Sequence, residues 1–69
     1  MIVVNAPLKA QDIIDLINSQ DEYTFVEKKG MKLFFETTRE DETQAARDVR
    51  EHIKSQPWGM GIFIHTEVQ

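Results

Sequence analysis

Sixty-nine residues, a formal charge of −4 and no cysteine set firm limits on this chain. A chain this short holds one core and buries only about 60% of the surface its unfolded form exposes, and without cysteine it has no disulfide and no cysteine-based zinc site to add stability. The acidic balance disfavours non-specific binding to nucleic acid or anionic membranes, since both need a basic footprint.

Ile2 to Val4 is β-branched and apolar and reads as a first strand. Asn5-Ala6-Pro7 ends it, because proline cannot donate to a ladder and restricts the residue before it. The run Met1 to Val4 has no basic residue before it and is too short for a signal-peptide core or a membrane span, so the expected location is the cytoplasm. From Leu8 to Asn18, Ala10, Ile13, Ile14 and Ile17 recur on one helical face, and Leu16 widens the stripe. Asn18-Ser19-Gln20-Asp21 supplies stop signals, since short polar side chains compete for backbone hydrogen bonds.

Tyr23 to Thr38 reads as a β-hairpin. A three-residue loop, Lys28-Lys29-Gly30, places Gly30 where a positive φ is wanted. With unbroken alternation, Phe25 then faces Leu33 and Tyr23 faces Phe35, all on one side of the sheet. The other side carries Thr24, Val26, Lys32, Phe34 and Glu36. The cluster Lys28, Lys29 and Lys32 reads as a solvated tip that discourages edge-to-edge pairing.

A second helix follows. Thr37 with Glu40, Thr38 with Asp41, and Asp41 with Gln44 compete as its capping pair. Ala45, Ala46, Val49 and Ile53 make its buried stripe, with His52 on the flank. Pro57 stops it, and Trp58-Gly59-Met60-Gly61 connects onward. Trp58 reads as a cap on the edge of the core, with a loop lid as the competing role. Ile62 to Val68 alternates as the last strand, with Phe63, His65 and Glu67 sharing one face.

The order β-α-β-β-α-β, in one domain spanning residues 1–69, predicts an α+β two-layer sandwich. Two crossovers, each leaving room for one strand, give a four-stranded antiparallel sheet with both helices on one face. This is the ferredoxin-like, split-βαβ arrangement, which hosts many unrelated functions.

Residues able to carry chemistry are sparse. An RNA-recognition third strand needs aromatics at alternating positions after its basic-glycine start, yet Lys29-Gly30-Met31-Lys32-Leu33-Phe34-Phe35-Glu36 puts Met31, Leu33 and Glu36 there. The connection Asn5-Ala6-Pro7-Leu8 has no glycine or arginine to cradle a phosphate. His65 and Glu67 share a face without an evident third ligand, and Ser19 and Ser55 sit at helix ends without an acid–base partner in sequence. No catalytic, metal-binding or cofactor-binding residue is assigned.

What remains is the sheet face away from the helices. Val26, Phe34, Phe63 and His65 are expected to form an apolar centre with a charged rim, which is the anatomy of a protein interface. The expected function is a non-enzymatic interaction domain that self-associates or binds a protein partner through that face. The alternatives are a small-molecule binder or enzyme with a site between subunits or at the Trp58 loop, and single-stranded nucleic-acid binding, which the charge disfavours.

Overall fold

The computed structural model describes residues 1–69. Its elements run β1 (Ile2–Asn5), α1 (Ala10–Asn18), β2 (Tyr23–Lys29), β3 (Lys32–Thr37), α2 (Glu42–Lys54), a 3-10 turn (Pro57–Gly59) and β4 (His65–Val68). The strands form one sheet in the order β2-β3-β1-β4, and every neighbouring pair is antiparallel. This is the split-βαβ, ferredoxin-like order, with β1 and β3 in the centre.

Both helices lie on one face, α1 over β2 and α2 over β1 and β4. Between them and the sheet sit Ile2 and Val4 of β1, Leu33 and Phe35 of β3, Tyr23, Ile13, Ile17, Val49 and Ile53. Phe25 meets Phe35 edge-on, with ring centroids 5.6 Å apart. Ala45 and Ala46 are buried too, and their small side chains let α2 lie close against the sheet.

Local chemistry sets the helix ends. Lys9 takes a left-handed backbone (φ 63), so α1 begins at Ala10, two residues after the expected start. Of the three capping pairs, Asp41 with Gln44 forms: Asp41 Oδ1 accepts the Gln44 N–H at 3.0 Å. After Pro57, Trp58 packs against the core edge from the 3-10 turn. Gly59 comes so close to the Ile53 carbonyl that an added Cβ would lie 2.0 Å from its oxygen.

The hairpin corrects the expected register. Lys29 pairs with Lys32, so the turn is the two residues Gly30-Met31 and not Lys28 to Gly30. Gly30 has φ 59 and Met31 is not positive, the type II′ pattern. Continued without interruption, that tight turn would send Phe25 and Tyr23 to the wrong side. A β-bulge at Val26 absorbs one residue instead, so Phe25 pairs with Phe35 and Tyr23 with Thr37. The core face expected for Tyr23, Phe25, Leu33 and Phe35 is therefore right, while their partners differ. Glu27 and Lys29 join the opposite face, and Val26 pairs with no residue of β3.

The last strand is shorter than expected, starting at His65 and not at Ile62. As an edge strand it pairs with β1 alone, and β1 ends at Asn5 opposite His65. Beyond it the Ala6 N–H turns to the Met31 carbonyl at 2.8 Å, and Pro7 has no donor. The segment before β4 is held by Lys54, whose Nζ donates to the Ile62 carbonyl at 2.6 Å.

Candidate functional site: the uncovered sheet face

No element covers the face opposite the helices, and its residues fall into rows fixed by the strand pairing. The middle row reads Glu27, Phe34, Val3, Glu67 across β2, β3, β1 and β4. The row toward the hairpin tip reads Lys29, Lys32, Asn5, His65. At the other end Thr24 pairs with Glu36. Val3 is only 2% exposed although it stands outside the core cluster. Its ladder partners on that face are Phe34 and Glu67.

Phe34 is half-buried. The Lys29 ammonium stands 5.9 Å from its ring centroid, and Lys29 also pairs with Glu27 at 3.3 Å. Both contacts are exposed, so each contributes at most about 1 kcal/mol. The site is thus a small apolar island, Val3 with Phe34, with Glu27 and Glu67 at the two ends of its row, Glu36 in the row on one side and Lys29 and Lys32 in the row on the other.

The four residues singled out from sequence are not all together. Phe34 holds the centre, and His65 ends its row beside Asn5. Phe63 is 89% exposed and lies ahead of β4, where it lines a shallow groove of about 330 Å³ with Asn5, Pro7, Ile64 and His65. Val26 sits on the bulge, 43% exposed and paired with no residue of β3. Sequence reasoning sets either Val3 or Val4 beside Phe34, since both are β-branched strand residues, and the ladder selects Val3. It missed Glu27 and Lys29, because unbroken alternation hides a bulge.

A second polar cluster sits on the helix side. Arg39 Nη1 donates to Asp48 Oδ2 and, at 3.4 Å, to the Tyr23 hydroxyl, and Arg39 Nε lies 3.9 Å from Glu22. The Asp48 hydrogen bond and then that of Tyr23 raise the already high guanidinium pKa. Asp48 is held below its ordinary value by Arg39 and then by the Gln44 amide. The adjoining cleft, about 250 Å³, is lined also by Gln20, Val49 and His52. With Arg39 engaged by its own chain, this cluster ties the β3–α2 loop to β2 and α2, which is a structural task.

No three His, Asp or Glu side chains converge as a metal-binding set, and no helix is long and apolar enough to cross a membrane. No protein-family model matches this chain, and neither the curated proteins nor the solved structures contain a significant match to it.

Proposed function

We propose that this chain is a small non-enzymatic interaction domain that docks a protein surface on its uncovered sheet face, working in the cytoplasm. The observation that carries this reading is Phe34, a half-buried aromatic ring beside the buried Val3 at the centre of the sheet face opposite the helices. Charged residues of both signs ring it, as at protein interfaces, where a dry centre gives affinity and a polar rim gives orientation. The exposed Phe63 at the β4 end extends the apolar surface beyond the strands.

The test is a pair of affinity captures using wild type and Phe34→Ser as bait, with the fold of the variant checked by circular dichroism. At least one protein, the chain itself included, should bind the wild type and lose at least about tenfold in affinity on Phe34→Ser, as hot-spot residues do. If no protein distinguishes the two baits, the face is not an interface.

A further inference from the structure

We infer that the partner of the uncovered face is a second copy of this chain, stacked face to face about a two-fold axis that runs across the strands. The inference rests on the reading of this face as an interface and adds the identity and orientation of the occupant. Its basis is charge complementarity.

A closed pair of stacked faces needs its two-fold axis in the plane between them. Two orientations keep the strands aligned, as packed sheets prefer. With the axis along the strands, β2 covers β4, and the carboxylates of Glu27 and Glu67 face each other, which works against association. With the axis across the strands, each strand covers its own counterpart and the rows exchange. Placed between the row of Val3 and the row of Asn5, it sets Glu27 against Lys29 of the second copy, Glu67 against His65, and Phe34 against the stem of Lys32. Moving the axis onto the Val3 row would set Glu27 against Glu27 and Glu67 against Glu67. The charges therefore select one placement.

The Glu27–Lys29 pair within one chain is no obstacle. It is solvent-exposed at 3.3 Å, and such pairs exchange partners at little cost. Four strands about 4.8 Å apart and the two exchanging rows about 6.8 Å apart give roughly 260 Å² per copy, about a third of a standard interface, so the pair is weak and rapidly exchanging. Salt weakens it further, because its selectivity comes from exposed charges.

The experiment is sedimentation velocity on the full chain from about 20 µM to about 1 mM, the range weak interfaces need. It is run at about 20 mM and about 500 mM NaCl to span strong and weak screening. Wild type should dimerise at low salt, with at least about a tenfold weaker constant at high salt. Lys29→Glu/Lys32→Glu and Glu27→Lys should each be monomeric alone. Mixed in equal amounts they should form a heterodimer, since positions 27 and 29 then face opposite charges across the pair. All three positions are exposed, so the variants should keep the fold, and nuclear magnetic resonance spectra verify this.

A wild type still monomeric at the highest concentration at low salt overturns self-pairing. The wider reading then survives only if a different protein is lost on Phe34→Ser. A dimer that persists in both charge variants and in Phe34→Ser uses another surface and overturns self-pairing through this face. A dimer lost on Phe34→Ser but untouched by the charge variants leaves the interface and overturns this orientation.

Discussion

Val3 and Phe34 stand opposite each other in the β1–β3 ladder, pointing away from the helices, while the adjacent pair Ile2 and Phe35 points into the core. One residue step along β3 thus separates a side chain buried in the core from one half-buried on the opposite face.

Substitution by serine should separate the two roles. Phe35→Ser should cost about 3 kcal/mol or more, as large-to-small changes in a core do. Phe34→Ser should cost less than about 1.5 kcal/mol, since its ring lies outside the core and is only partly buried. Urea denaturation of both variants measures this. The reverse order would mean that the helices cover the other face.

Gly59 and Gly61 make a second contrast. A methyl group at Gly59 would run into the Ile53 carbonyl, whereas none lies within 4 Å of one at Gly61. Gly59→Ala should lower stability by about 1–3 kcal/mol, the usual cost of forcing atoms into packed structure. Gly61→Ala should stay within about 0.5 kcal/mol of wild type. Equal melting temperatures for the two variants would show that the 3-10 turn does not hold this close contact.

Acid should act through Asp48. Its carboxyl is held low by Arg39 and then by Gln44, so in the folded chain it stays ionised at pH values where the unfolded chain has taken up a proton. The stabilisation is fully present above the ordinary carboxylate value of about 3.9 and is lost as pH falls through the lower folded value. The stability difference between wild type and Asp48→Asn should therefore be flat near neutral pH and shrink below about pH 4. Denaturation curves at a series of pH values measure it, and a gap that stays constant into strong acid would remove the Arg39 clamp from the account.

The bulge gives a fourth prediction. Val26 is the extra residue between Phe25 and Glu27, so deleting it should leave the pairs Phe25–Phe35 and Glu27–Phe34 in place on a regular ladder. Backbone nuclear Overhauser contacts between those strands should survive the deletion. If Tyr23 and Phe25 turn outward instead, Val26 is not the extra residue of the ladder.

Much of this was legible in the chain because the patterns are strong over long segments. The stripe Ala45, Ala46, Val49, Ile53 has helical spacing, and Leu33 and Phe35 flank Phe34 in strict alternation. The hairpin register was not legible, because a turn at Gly30-Met31 conflicts with alternation until one residue is left unpaired. Sequence shows the conflict but not where it is resolved. Phe63 was misplaced on a strand for a similar reason: its apolar alternation continues past the point where β1 has any backbone left to pair with. Asn18 read as a helix terminator, yet its side chain also reaches the neighbouring strand.

That reach bears on how copies of this chain can assemble. Asn18 Oδ1 accepts the Phe25 N–H at 3.0 Å, which occupies a donor on the outer edge of β2. The bulge one residue later kinks the same edge, and the opposite edge, β4, is four residues long. An incoming strand would find an interrupted template on one side and a short one on the other. Growth by adding strand to strand, the route to open-ended fibres, is thereby discouraged at both ends of the sheet. Stacking by the faces has no such block, and a two-fold stack is complete at two copies.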